Sequence, residues 1–294
     1  MTHDPAVLRY TAFSSRPEGG NPAGVVLDAT GLPDEAMQRI AADVGYSETA
    51  FLTPTGTTGR YAVRYFSPLA EVPFCGHATI AASVALAVEA RVGPGELTFL
   101  TPVGEVPVTV RAGEDGGLLA TLSSVEAHQE PIASDDLAEA LAALDWPAAD
   151  LDPALPPRIA FAGARHLVLA AADRERLAAL DYDFDRLAAL MLRLDLTTLQ
   201  LVWRESPTVF HVRDPFPVGG VVEDPATGAA AAAFGGYLRD LGFVPPAAVL
   251  TLHQGHDLGR PALLKVELRL GDPRVHVTGA AVRIPDAAPE ETEG

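Results

Sequence analysis

Glu71-Val72-Pro73-Phe74-Cys75-Gly76-His77-Ala78-Thr79-Ile80-Ala81-Ala82 returns 152 residues later as Glu223-Asp224-Pro225-Ala226-Thr227-Gly228-Ala229-Ala230-Ala231-Ala232-Ala233-Phe234. Without a gap, Glu71 falls on Glu223, Pro73 on Pro225, Gly76 on Gly228, Ala78 on Ala230 and Ala81 on Ala233. Each copy is a stiff proline turn, then a glycine, then a run of small helix formers. Alanine matches come cheaply in an alanine-rich chain. Glu, Pro and Gly recurring at fixed offsets do not, so the pair reads as a structural repeat rather than two ordinary loop-to-helix junctions. A helix starting at Gly76 or Gly228 leaves its first N–H groups without intrahelical acceptors, at the positive end of the helix dipole. That arrangement holds anions. Two copies predict two similar lobes, each aiming a helix N-terminus at a shared cleft.

The 294 residues suffice for two such units, each with its own core. Apolar residues make up 48% and charged residues 20%, the composition of a globular rather than a disordered chain. The net charge of −18 argues against nucleic acid and anionic membrane as partners, since both select clustered Lys and Arg. A small anionic substrate stays compatible, because a local helix terminus can hold it against the global field. Cys75 is the single cysteine, so no intrachain disulfide forms, in keeping with a reducing compartment. Met1-Thr2-His3-Asp4-Pro5 lacks the basic start of a signal peptide, and no apolar run approaches the ~20 residues of a membrane span. The expectation is a cytoplasmic protein with a frayed acidic tail from Asp286 to Gly294.

Working outward from the repeat, strands are expected over Val7 to Phe13, Ala23 to Leu27, Ser47 to Leu52, Tyr61 to Phe66, Leu97 to Leu100, Val106 to Val110 and Leu118 to Leu122. Gly19-Gly20-Asn21-Pro22 reads as a turn. Ala36, Met37, Ile40, Ala41 and Val44 are at helix spacing, predicting a helix over Pro33 to Val44, and another runs from Ala78 to Ala90. The second half has the same rhythm. Helices are expected over Asp135 to Leu144, over most of Arg174 to Arg193, and from the second phrase to about Leu241. Strands are expected over His166 to Ala171, Leu199 to Arg204, Thr208 to Val212, Ala248 to Gln254, Ala262 to Leu270 and Arg274 to Val277. Trp146 to Pro157 reads as irregular. The lobes divide as 1–124 and 125–294, with the last strand or tail free to return to the first lobe. Meandering strands with one long helix per lobe make an α+β pattern rather than alternating β–α units.

Four side chains near the expected cleft can carry chemistry. Glu48 lies between small polar neighbours in a strand, either as an acid/base group or as a solvated carboxylate. His77 follows Gly76 at a helix start, where imidazole can shuttle a proton near neutrality or simply pack. Asp224 and Thr227 flank the second turn and can serve a site or cap the helix. Cys75 is either a thiolate base activated by the helix dipole or a small buried apolar residue. No dinucleotide-binding glycine pattern, phosphate loop or nucleophile elbow occurs, so we expect no cofactor. His253 and His256 flank a turn at Gly255 without a cysteine or carboxylate cluster, and we expect no metal.

Five phrases, in order, resemble the PhzF-like phenazine-biosynthesis family, which has the diaminopimelate-epimerase fold. They are Gly19-Gly20-Asn21-Pro22-Ala23, Ser47-Glu48-Thr49-Ala50-Phe51, Phe74-Cys75-Gly76-His77-Ala78-Thr79, Glu223-Asp224-Pro225-Ala226-Thr227-Gly228, and Gln254-Gly255 with Gly259-Arg260-Pro261. The resemblance covers nearly the whole chain. It implies two pseudo-symmetric lobes, each a β-barrel-like sheet wrapped around a central helix, and cofactor-free proton transfer at carbon in a cytoplasmic homodimer. The acid/base role falls on Glu48, with His77 and Asp224 beside it as catalytic groups. Asn21, Cys75, Gly76, Ala78, Thr227, Gly228 and Ala229 are implied to bind substrate. Racemases and epimerases of this fold use one cysteine before each of the two helices; this chain has Cys75 but no second cysteine, which excludes a two-thiol mechanism. The family commonly has Ser after Thr-Gly in the second phrase, where this chain has Ala229. The expected function is a cofactor-independent isomerase acting on a small carboxylate. A non-catalytic small-anion binding protein on the same scaffold and an interaction protein that dimerises through an exposed sheet are the alternatives.

Overall fold

The computed structural model describes residues 5–89 and 93–285. Eight strands close a barrel. Leu8–Ala12, Asn21–Val26, Glu48–Pro54, Arg60–Phe66, Gly95–Thr101, Gly104–Ala112 and Leu118–Ser123 are hydrogen-bonded in that order. The ring is completed by Val275–Arg283, which pairs with both Leu118–Ser123 and Leu8–Ala12. The helix Gly76–Val88 threads this barrel and is buried on every side from His77 to Leu86. A helix surrounded by sheet has no use for a polar face, which is why its sequence is alanine and β-branched or aliphatic residues without amphipathic alternation.

The second half repeats the plan. His128–Pro131, Arg158–Phe161, Arg165–Ala170, Thr198–Ser206, Val209–Pro215, Ala248–Gln254, Ala262–Leu268 and the start of Val275–Arg283 pair in series around the helix Gly228–Asp240. In both halves the central helix is the crossover between two parallel strands, Arg60–Phe66 with Gly95–Thr101 and Val209–Pro215 with Ala248–Gln254. The proline turns are held alike: Glu71–Val72 pairs with Tyr65 and Phe66, and Glu223–Asp224 with Asp214 and Pro215. The second helix needs glycine to fit its barrel. A Cβ at Gly235 would sit 2.7 Å from Val266 Cγ1, and one at Gly236 would sit 2.5 Å from the Ala127 methyl. The sequence repeat is thus a repeat of topology.

Outer helices cover the barrels. Asp34–Val44 buries Met37, Ile40 and Ala41 against Val26, Phe51 and Phe66. Ser134–Leu144 and Phe184–Leu194 cover the second sheet through Leu141, Leu144, Leu187, Leu190 and Met191. Four sequence expectations change. Arg174 to Arg193 is two helices, Arg174–Ala178 and Phe184–Leu194, because Asp183 accepts the Arg186 N–H and caps a new start. The last strand runs to Arg283, since it must span both barrels. Asn21 and Pro22 begin a strand rather than a turn. His128–Pro131 and Arg158–Phe161 are additional strands that pair with each other. The expected helix end at Ala90 and the tail from Asp286 lie outside the described residues. Among the described residues no helix is long and apolar enough to cross a membrane.

Candidate active site

Glu48 opens its strand in register with Ala23 of the parallel neighbour, which brings its carboxylate to the barrel end where the Gly76 helix begins. Cys75 Sγ donates to Glu48 Oε2 at 3.4 Å, and His77 Nε2 lies 3.3 Å from the same oxygen. His77 Nδ1 is 3.3 Å from Cys75 Sγ and 3.1 Å from Asn21 Nδ2. The tautomer with its hydrogen on Nε2, facing Glu48 and the Ser47 hydroxyl, lets Nδ1 accept from Asn21 Nδ2. Asn21 Nδ2, which has two hydrogens to share, also lies 2.8 Å from Asp224 Oδ1 and 3.1 Å from the Ala226 carbonyl oxygen. One amide thereby ties the first helix start to the second proline turn.

On the far side, Thr227 Oγ1 donates to Asp224 Oδ2 at 2.6 Å, and the Thr227 N–H donates to Gln254 Oε1 at 2.9 Å. Gln254 Nε2 donates to Asp214 Oδ2 and to the Asp224 carbonyl at 2.8 and 2.9 Å. The capping alternative for Asp224 and Thr227 is therefore overturned. Thr227 is the N-cap residue, but its hydroxyl is turned to Asp224 and neither central helix has a side-chain cap. The first two residues of each helix, Gly76 and His77 on one and Gly228 and Ala229 on the other, line the cleft.

Burial sets the protonation states. The Glu48 side chain is 16% exposed, and its desolvation raises the carboxyl above its ordinary range even though Ser47 and Cys75 donate to it. Asp224 is pushed up to about 6 by burial, with His77 and Thr227 opposing and Glu48 adding. His77 is held below its ordinary value by burial, so it is neutral at pH 7. Burial, followed by the Glu48 charge, drives the Cys75 thiol well above its usual range. A thiol so placed favours its neutral form, whose S–H donates a hydrogen bond to Glu48 Oε2.

These groups form the floor of a cavity of about 490 Å3, a volume suited to a small molecule. Glu48, Cys75, Gly76, His77, Asp224, Thr227, Gly228 and Ala229, all expected from the sequence, line it together. Asn21 and Ala78 do not. Asn21 is 1% exposed and works from behind as the link between His77 and Asp224, while Ala78 is fully buried with its N–H toward the Cys75 sulfur. The opposite wall, from the second barrel, holds Phe161, Arg165, Thr198 and Phe216, which the sequence reading did not single out. Thr198 opens the strand equivalent to that of Glu48, but the offset of the quoted phrases takes Glu48 to Gln200, two residues away. Arg165 is the only Lys or Arg of the lining; it pairs with Glu130 at 2.7 Å, and no local signal marks it. Asp214 and Gln254, buried beneath the second turn, were also missed as site residues, although Gln254 stands in the fifth phrase.

Glu48, Cys75 and His77 offer ligand atoms within 4.8 Å of one another, the one such group of three among the described residues. A thiol, an imidazole and a carboxylate are donors that zinc accepts. With Cys75 S–H and His77 Nε2–H both directed at Glu48, the three already satisfy one another through protons.

Two barrels, each threaded by a helix whose N-terminus opens on one shared cleft, define the diaminopimelate-epimerase class of fold. A probable proline racemase of Agrobacterium radiobacter K84 has this fold, with a TM-score of 0.64 at 12% identity over 98% of this chain and 94% of that one. The chain belongs to the phenazine biosynthesis-like (PhzC-PhzF) family, whose model matches residues 10–287. Its relatives include an uncharacterized isomerase of Deinococcus radiodurans, 34% identical over 100% of this chain and 98% of that protein. Another is the trans-2,3-dihydro-3-hydroxyanthranilate isomerase of Pseudomonas fluorescens, 30% identical over 92% and 94% of the two chains. The Bacillus anthracis phenazine biosynthesis protein of the PhzF family superposes with a TM-score of 0.86 at 25% identity, covering 95% of this chain and 96% of that one.

Proposed function

We propose that the protein is a cofactor-independent isomerase that moves a proton at carbon in a small carboxylate substrate, with Glu48 as both acid and base. The observation that carries this reading is the position of Glu48: its Oε2 stands 3.3 Å from His77 Nε2, inside a cavity onto which two uncapped helix N-termini open. A carbon acid is weak, so the anion formed on deprotonation must be stabilised as it develops. N–H groups at Gly76 and His77 on one helix, and at Gly228 and Ala229 on the other, supply that stabilisation. A carboxyl raised by burial is a stronger base than one in water, and a value nearer neutrality lets one group serve both to take and to return the proton.

The remaining groups set the state of Glu48. Neutral His77 donates from Nε2 to the ionised carboxylate, and Asn21 fixes the ring and couples it to Asp224. Cys75 adds a second donor. At the position equivalent to Cys75 the second lobe carries Thr227, so the two faces of a substrate do not meet matched thiols. The relative from Pseudomonas fluorescens is named as an isomerase of trans-2,3-dihydro-3-hydroxyanthranilate, itself a small carboxylate. The relatives named as isomerases favour catalysis over the binding-only alternative.

The test is proton NMR of amino- and hydroxy-carboxylates and cyclic dienoates in D2O with wild type and Glu48→Gln. Wild type should remove a carbon-bound proton signal, and the variant should do so about 10²–10⁴-fold more slowly. A variant exchanging at the wild-type rate would remove Glu48 from the mechanism.

A further inference from the structure

A second cavity, of about 250 Å3, adjoins the first behind the start of the Gly228 helix. The two share Phe74, Gly76, Phe161, Gly228 and Ala229, so a molecule held at the helix N-termini can extend from one into the other. The walls belonging to the second cavity alone are Val106, Leu122, Val125, Ala162 and Ala232, with Ser123 and Ser124. Both serine hydroxyls are already engaged. Ser123 Oγ pairs with His276 Nδ1 at 2.8 Å; Ser124 Oγ donates to the Val125 carbonyl at 2.6 Å and accepts from the Val275 N–H at 2.9 Å. Both hydroxyls are thus tied to neighbouring protein groups, and no charged side chain lines the annex.

The repeat accounts for the space on this face of the second helix. At the shared offset, Ala229 and Ala232 stand where the first helix carries His77 and Ile80. Two large side chains in one lobe become two methyls in the other, one turn apart on the same helix face. Val103 and Val125, exposed at 59% and 55%, stand at its rim.

We propose that the annex is a specificity subsite, and that the substrate is a carboxylate bearing an aryl or branched-alkyl arm that lies against Ala229 and Ala232. This rests on the reading of the main cavity as a carboxylate site. A cavity of about 150 Å3 holds a benzene molecule, so the annex has room for a phenyl group. The arm gains by leaving water, and a polar arm would lose its hydration without replacement.

The test is an NMR titration of propionate, 4-methylpentanoate and 3-phenylpropionate against wild type, Ala232→Leu and Val106→Phe. Both variants narrow the annex without touching the main cavity, and Val106→Phe sits on a half-buried rim, where it should fold if Ala232→Leu does not. Wild type should bind the phenyl compound at least about tenfold more tightly than propionate. Each folded variant should bring that ratio to within about twofold, with propionate unchanged. Equal affinities in wild type, a gain that survives both variants, or no binding of any of the three would overturn the proposal. Solvent deuterium exchange separates the two readings. Exchange of small carboxylates with no arm effect removes the annex and leaves the isomerase; an arm effect with no exchange in any candidate does the reverse.

Discussion

Asp224→Asn isolates one titrating group in the network. The carboxyl titrates near 3.8 in an unfolded chain and at about 6 in the fold. At about 1.4 kcal/mol per pH unit, that difference is worth about 3 kcal/mol. The folded value is the higher one, so the folded state binds this proton more tightly. The stability contributed by the group is complete below about pH 3.8 and is lost as pH rises through about 6. Asparagine keeps the hydrogen bonds: its oxygen can accept from Asn21 Nδ2 and its amide can donate to Thr227 Oγ1. Urea unfolding of both proteins from pH 4 to 7.5 reads the effect. Glu48 and Asp214, also raised by burial, titrate in both proteins, so the comparison is the difference between the two curves. The variant should gain about 2.5 kcal/mol on wild type between those pH values. A difference constant to within about 0.5 kcal/mol would mean that the Asp224 carboxyl is ionised throughout, and the reasoning from burial would fail.

Two further outcomes follow from groups near the site. Iodoacetamide at pH 7.5 should alkylate Cys75 at least about 100-fold more slowly in the folded protein than in urea, and Cys75→Ser should keep activity within about tenfold, because the buried thiol acts as a donor and not as a base. Rapid labelling of the folded protein would contradict this. Arg213→Leu should cost about 3–5 kcal/mol in urea unfolding, since it strands the buried Glu223 carboxylate that Arg213 Nε meets at 3.0 and 3.1 Å. The double variant Arg213→Leu/Glu223→Leu should recover most of that loss, and failure to recover it would assign the cost to packing instead.

The features legible in the sequence are those whose chemistry is local. Proline, glycine and glutamate at fixed offsets marked both helix starts, and the absence of a polar face in the Gly76 and Gly228 helices is visible residue by residue. Glu48, His77 and Asp224 stand in short phrases and meet where the phrases meet. Asn21 was expected to touch substrate, because nothing local tells that its amide reaches across 203 positions to Asp224. Arg165 opens an otherwise apolar strand and looks like any surface arginine until the second barrel carries it to the cavity wall. The strands His128–Pro131 and Arg158–Phe161 are short, and the first is largely polar; only their pairing with each other defines them. Val275–Arg283 was seen as four residues because Thr278, Gly279 and Ala280 interrupt the apolar pattern where the strand passes from one barrel to the other.

That passage fixes an order of events during synthesis. The first barrel lacks its closing wall until Arg283 has been added, about 160 residues after Ser123. At 5–20 residues per second the ribosome needs about 8–32 s for that stretch. Throughout it, Leu8–Ala12 and Leu118–Ser123 each have a free edge, the kind of surface that recruits strands from other chains. The half of the protein made first is therefore finished only when the second half is. A chain cut short before Val275 takes a wall from both barrels at once.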